Sequence, residues 1–282
     1  MTPVLECVVN LSEGRNRALL DELTAAAGHQ LLDRHADADH GRSVFTLGGA
    51  RTEEATRVLA DLAVQRLDIR RCSGVHPRLG VVDVVPFVPL DARGAPADVD
   101  ADLTEAVEAR RHFAEWAAEE LALPCFFYGP ERSLPELRRR AFADLQPDTG
   151  PDHPHPTAGA CAVGARPALV AYNLWLDCTD LSVARKVAAE IRSDDVRALG
   201  LAVTGAVQVS CNLLAPLRTG PAQVYRAVSQ AAGRRGVAVG RAELVGLAPA
   251  AVVRAVPEDL RVTLDMDVAR TVEARLAAAG QL

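Results

Sequence analysis

The chain has little lysine, few aromatic side chains and no surplus of positive charge, and each shortage excludes something. Lys186 is its only lysine. A phosphate-cradling loop that needs a Gly-Lys pair is therefore impossible. A pyridoxal-phosphate Schiff base would have to form on Lys186, which stands in an Ala/Val/Arg helical pattern without site-like neighbours. The net charge of −6 lacks the positive surplus that displaces counterions from nucleic acid. No apolar run approaches the length of a membrane span, so no membrane partner is expected. The N-terminus Met1-Thr2-Pro3-Val4-Leu5-Glu6 has no basic stretch leading into an apolar one. A secretory signal is not expected, and the Asn10-Leu11-Ser12 sequon reads as a chance match. The cysteines at 7, 72, 125, 161, 178 and 211 include no CxxC pair. They are expected to be reduced, mostly buried thiols of a cytoplasmic protein.

What is present is an ordinary globular composition, 49% hydrophobic and 24% charged over 282 residues, enough for two domains of modest size. Apolar alternation and helical periodicity succeed one another along the chain. Strands are expected at 4–9, 30–33, 44–47, 81–90 and 125–128, then at 160–163, 169–174, 201–207, 208–214 and 237–244. Helices are expected at 17–27, 52–67, 99–121, 134–142, 182–192, 221–234 and 268–279, with a short one opening at Leu247-Ala248-Pro249. Thr179 or Asp180 is a candidate cap for the helix at 182. This pattern predicts an α/β (α+β sandwich) protein of two similar subdomains, residues 1–167 and 168–282. Each is expected to have a mixed sheet covered by helices, with a ligand cleft between them. No GxGxxG follows a strand, so a dinucleotide site has no support.

Gly74-Val75-His76-Pro77-Arg78-Leu79-Gly80 runs into the valine-rich stretch 81–90, which suits a strand buried on both faces. Asp83 is the one charge in that strand and needs a partner if it points inward. The turn before it delivers an imidazole and a guanidinium, stiffened by Pro77. An imidazole so held suits general acid/base work; it would serve equally as a surface cap on the strand. The segment 34–42, with His35 and His40 among Asp37, Asp39 and Arg42, reads as a polar loop of substrate-binding side chains. It lacks metal-ligand spacing, and no metal is expected. The stretch 146–159 carries four prolines and two glycines and excludes regular structure. After it, Gly164-Ala165-Arg166-Pro167 offers small residues for close approach and a guanidinium able to fork onto a carboxylate.

Several of these stretches resemble the glutamate formiminotransferases. The His-Pro-Arg-Leu-Gly turn at 76–80 is similar to that family's His-Pro-Arg-(Met/Leu)-Gly signature. Glu6-Cys7-Val8-Val9-Asn10-Leu11-Ser12-Glu13-Gly14 is similar to its Glu-Cys-Val-Pro-Asn-Phe-Ser-Glu-Gly. Gly41-Arg42-Ser43-Val44, Pro147-Asp148-Thr149-Gly150-Pro151, Gly164-Ala165-Arg166-Pro167, Ala171-Tyr172-Asn173, Asn212-Leu213-Leu214 and Glu243-Leu244-Val245-Gly246-Leu247 follow in family order. The resemblance implies a cytoplasmic homodimer that moves the formimino group of N-formimino-L-glutamate to N5 of tetrahydrofolate in histidine degradation. Tetrahydrofolate is then a co-substrate. The catalytic histidine falls on His76. The folate-binding segment falls on Gly150, Pro151, Asp152, His153, Pro154, His155, Pro156, Thr157, Ala158 and Gly159. Asn10, Arg42, Arg78 and Arg166 are candidates for substrate contact. The cyclodeaminase domain of bifunctional relatives has no room in this length. Val75 stands where the family has Glu, Thr149 where it has Phe, His35 where it has Asp and Gly41 where it has Asn. Those departures leave two alternatives open: a related folate-dependent formyl or formimino transferase with another amine donor, and a non-catalytic folate-binding paralogue.

Overall fold

The computed structural model describes residues 4–281. The chain divides into two compact units: Met1–Ala97 with Ala101–Arg166 and Leu276–Leu282, and Asp98–Asp100 with Pro167–Arg275. The first unit runs β1 (Leu5–Leu11), α1 (Arg17–Ala27), β2 (Leu31–Asp37), β3 (Arg42–Gly49), α2 (Thr52–Arg66), β4 (Val82–Pro89), α3 (Thr104–Leu121), β5 (Cys125–Tyr128), α4 (Leu134–Arg140) and β6 (Cys161–Ala165). Its sheet has the order β2-β3-β1-β4-β6-β5. The second unit runs β7 (Val170–Leu176), α5 (Leu181–Ile191), β8 (Val196–Val203), β9 (Ala206–Leu213), α6 (Pro221–Gly233), β10 (Val239–Val245) and α7 (Ala250–Arg254), with sheet order β10-β7-β9-β8. A last helix, α8, spans Val272–Ala278.

Both units contain the same βαββαβ core, in which the second helix–strand step returns the chain beside the first strand. The α/β class is as expected. The mixed sheet expected in each half is found only in the first: the second is antiparallel throughout. The reason is that α5 carries the chain from β7 past the place of one strand, and β9 fills that place antiparallel to both neighbours. In the first unit the core four strands are also antiparallel. The sheet becomes mixed because β6 and β5 are added in parallel to β4's open edge.

One face of the first sheet is closed by α1, α2 and α3. Leu5, Cys7, Val9 and Leu11 of β1 alternate onto that face and meet Leu20, Leu23, Leu59 and Phe113. Trp116 packs on Phe113. β4 is buried on both faces, as its valines predict: Val82, Val85 and Phe87 join the helix-side core, and Val84 joins a second cluster with Phe126, Tyr128 and Leu137. In the second unit, Tyr172, Leu174 and Val209 meet Val187 and Val228, and the Tyr172 hydroxyl donates to the Leu264 carbonyl.

Several boundaries move. The polar segment at 34–42 is largely strand: β2 continues to Asp37, and His35 pairs with Val44 across the hairpin. Backbone pairing with β3 needs no apolar side chains, which is why composition hid it. The helix expected from 99 starts at Thr104, because the Asp102 carboxylate takes the Thr104 backbone N–H at 2.9 Å. The helix expected to reach 142 ends at Arg140, and Phe142 has φ +59°. Asp180, not Thr179, caps α5. The strands expected to meet at 207/208 turn instead at Thr204-Gly205, where Gly205 supplies φ +74°. Val268–Arg270 is a 3-10 turn, separate from α8.

Two glycines lock the loop after β2 to the loop before β4. A Cβ on Gly41 (φ +58°) would lie 1.8 Å from the Ser73 carbonyl oxygen, and one on Gly74 would lie 2.1 Å from that of His40. Gly41→Ala therefore meets both backbone strain and a collision with main chain. It is expected to destabilise the protein by at least ~2 kcal/mol, read as a lower urea midpoint at unchanged m-value.

Candidate active site

β1 and β4 slip register between Asn10 and Leu11: Asn10 pairs with Val84, and Leu11 pairs with Val82. Asp83 is the extra residue, and a bulge re-aims its side chain. The carboxylate, 1% exposed, takes three donors. These are Arg42 Nη2 at 3.0 Å, Arg138 Nη2 at 2.6 Å and the Leu79 backbone N–H at 2.6 Å. Burial alone would push the Asp83 carboxyl up; Arg42 and Arg138 outweigh it and hold the group below the usual carboxylate range.

Arg42 opens β3 and spans the site. Its Nε donates to Asn10 Oδ1 at 2.8 Å, and its Nη1 lies against both ring nitrogens of His76, 3.1 Å from Nε2. The His76 Nδ1 lies 2.8 Å from the Pro77 carbonyl oxygen, which can only accept. The Pro77 carbonyl calls for the tautomer with the proton on Nδ1, which leaves the Nε2 lone pair as the ring's acceptor. Burial, then the Arg42 charge, hold the His76 imidazolium well below its ordinary range, so the ring is neutral near pH 7. Burial also lowers Arg42, to about 10, against the pull of Asp83.

Arg78 sits behind these groups, with Nη2 3.2 Å from the His40 carbonyl oxygen; its buried Nη1 has no hydrogen-bond partner. Ser12, His40, Gly41, Arg42, His76, Pro77, Arg78 and Asp83 line one tight recess, with no room for a water molecule between their side chains. The rings of His40 and His76 are 5.9 Å apart. Thus Asn10, Arg42, His76 and Arg78 come together as one cluster. Arg166 stands elsewhere on the sheet. It hydrogen-bonds the Tyr128 phenol, and its backbone N–H reaches the Phe87 carbonyl.

The loop 150–159 is divided. Its end joins the His76 turn: Val81 N–H donates to the Ala158 carbonyl at 2.9 Å, and Gly80 bridges to Gly159. Gly80 is required there, since a Cβ would lie 2.2 Å from the Ala160 carbonyl oxygen. His155 shapes the loop itself, its Nδ1 accepting the Ala158 N–H at 2.9 Å. Asp152 and His153 pair with each other at the surface. At the loop's start, the Asp148 carboxylate holds the Phe127 N–H and Arg132.

Sequence reasoning missed Arg138, Ser12 and the catalytic-side placement of His40. The signal for Arg138 was present: a carboxylate inside a valine strand requires a cation, and the basic face of α4 was the nearest supply. The segment with His35 reads differently in three dimensions, since only its end, His40, Gly41 and Arg42, reaches the recess lining. Among the described residues, no group of three or more His, Cys, Asp or Glu side chains is placed to hold a metal ion.

A neutral imidazole beside a guanidinium, with a further arginine donor around one recess, is an arrangement able to move a proton next to an anionic group. The chain belongs to the formiminotransferase family: residues 4–166 match its "Formiminotransferase domain, N-terminal subdomain". It is 37% identical to the glutamate formimidoyltransferase of Streptococcus pyogenes serotype M1, over 89% of this chain and 90% of that one. It is 32% identical to the Thermoplasma acidophilum protein of the same name, over 87% and 88%. It is also 32% identical to the formimidoyltransferase-cyclodeaminase of Sus scrofa, over 88% of this chain and 51% of that longer protein.

Asp83→Asn would leave Arg42 and Arg138 facing one another without their shared counter-charge. A loss of about 3–5 kcal/mol in unfolding free energy is expected, measured by urea denaturation. His76 gives the pH dependence its sign. Its folded-state pKa lies below the ordinary 6.5, so the unfolded chain binds a proton that the folded chain refuses. Stability should therefore fall as pH drops through the ordinary imidazole range, and His76→Gln should flatten that part of the profile.

Proposed function

We propose that the protein is a glutamate formimidoyltransferase. It moves the formimino group of N-formimino-L-glutamate to N5 of tetrahydrofolate, giving 5-formiminotetrahydrofolate and glutamate. The observation that carries this reading is the neutral His76, held by Arg42 and Asp83 inside the part of the chain that matches the family. N5 attacks the formamidine carbon, and a tetrahedral intermediate forms. His76 accepts the N5 proton at Nε2, a step typically contributing about 10²–10⁴-fold in rate. Arg42 stands against the same ring, where its guanidinium can pair with a donor carboxylate. Arg78, with an unused buried N–H, is the second carboxylate ligand.

The loop 150–159 supplies the folate contacts, positioned by its hydrogen bonds to the His76 turn. Within it, Ala158 and Gly159 lie against that turn, and His155 acts by shaping the loop. The change from the family's Glu to Val75 leaves the His76 cluster intact. Val75 is 41% exposed, its backbone N–H is tied to the Asp39 carbonyl, and no contact of the His76 cluster depends on its side chain. The active form is a cytoplasmic homodimer serving histidine degradation, with tetrahydrofolate as co-substrate and no metal.

The test is turnover of N-formiminoglutamate with tetrahydrofolate. His76→Ala is expected to lower kcat by at least about a hundredfold while the folate dissociation constant stays within a few-fold. The acidic limb of the wild-type rate profile should lie below the ordinary imidazole range. No turnover in the wild type, with folate bound, would overturn the proposal, and turnover that survives the substitution would overturn the role of His76.

A further inference from the structure

We propose that His40 is a second catalytic residue, the general acid that protonates the departing glutamate nitrogen; this rests on the transferase reading above. The case begins with what His76 has left to offer. Its Nδ1 proton is committed to the Pro77 carbonyl, so Nε2 is its single working nitrogen. Transfer of a formimino group needs a proton taken from N5 and a proton given to the leaving amine. Two groups on opposite sides of the reacting carbon do this without either ring turning between tasks.

The second imidazole is built into place. His40 is buried, lines the same recess, and stands 5.9 Å ring to ring from His76. A formimino carbon arriving at the mouth of this recess would have one ring near each of its two nitrogens. The backbone around it is held from four sides. The Asp37 carboxylate takes the His40 N–H at 2.8 Å, and Arg78 bridges the carbonyls of His40 and His76. Gly41 and Gly74 interlock the two loops, and the Val75 N–H donates to the Asp39 carbonyl. A histidine that merely filled space would not need its main chain fastened to the main chain of the other histidine.

The step balances. N5 forms its bond to the formamidinium carbon, and the C=N electron pair moves onto the terminal nitrogen. The N5 proton passes to His76 Nε2. The bond from carbon to the glutamate nitrogen breaks, its electron pair remaining on that nitrogen, which takes a proton from the His40 ring. The C=N bond re-forms on the folate product. One proton has moved from N5 to glutamate, and transfer from His76 back to His40 restores both rings.

The test is the dependence of rate on the basicity of the leaving amine. N-formimino-3-fluoroglutamate keeps both carboxylates but releases a less basic amine, which needs less help from an acid. His40→Gln is expected to slow kcat with formiminoglutamate by at least thirtyfold and with the fluorinated donor by only a few-fold. His76→Ala should slow both donors alike. Equal slowing of both donors by His40→Gln would reduce His40 to a packing role, and no slowing of either would remove it from the reaction; both outcomes overturn the proposal. His40→Asn provides a second polar replacement if the first does not fold. The wild type alone gives an independent reading, since its rate should barely differ between the donors. A wild-type rate much faster with the fluorinated donor would mean that nothing protonates the leaving group, and would overturn the proposal. Absence of wild-type turnover with either donor would overturn the transferase reading itself, and this inference with it.

Discussion

The carboxylate of Asp83 is the interaction on which the first unit's chemistry depends. A lone charge inside a valine strand is costly, and two guanidinium groups brought together in a half-buried site are costly as well. Placed against one another they satisfy each other and leave a surplus of one positive charge. The same carboxylate also takes the Leu79 N–H, which ends the turn that carries His76. One side chain therefore fixes the position of Arg42, the anchoring of α4 through Arg138 and the exit of the His76 turn. Burial first, and then the cation beside it, keep the imidazole neutral, and that cation is held in place by Asp83.

The two units share a βαββαβ core but have different tasks. In the first, β6 and β5 extend the sheet beyond β4 and turn what would be an edge strand into a central one. That burial allows a bulge in β4 to project a charge into a protected place rather than into solvent. It also brings the end of the loop 150–159 beside the His76 turn, because the strand that follows this loop is the one paired with β4. Among the described residues the second unit's sheet has four strands, with β10, its equivalent of β4, at one edge.

Much of the fold was legible from the sequence, because alternation and helical period are local properties. The valines of β4, the amphipathic α1 and α2, and the proline-rich character of 146–159 all read correctly. What failed depended on backbone pairing or on a single cap. β2 through His35 has a polar sequence and is a strand only because β3 lies beside it. The hairpin at Gly205 was displaced because apolar residues continue across the turn. In the site, His76 and the arginines at 42 and 78 were readable as chemistry-bearing residues on stiff turns. Their mutual geometry was not, since Asn10, Arg42, His76, Asp83 and Arg138 come from five separate segments. Arg166 was read from its small-residue stretch and its forked guanidinium, and the structure places it against Tyr128, apart from the His76 cluster.

The scarcity of aromatic residues has an optical consequence. The chain has two tryptophans, and they fall one to each unit. Trp116 stacks near Phe113 under Arg57, while Trp175 lies beneath the guanidinium of Arg241 and donates its indole N–H to Glu243. Their surroundings differ in polarity, so their emission bands should differ as well. Replacing either one leaves a single fluorophore whose signal belongs to one βαββαβ core. The protein thus carries its own pair of reporters, through which the melting of each half can be watched without a dye.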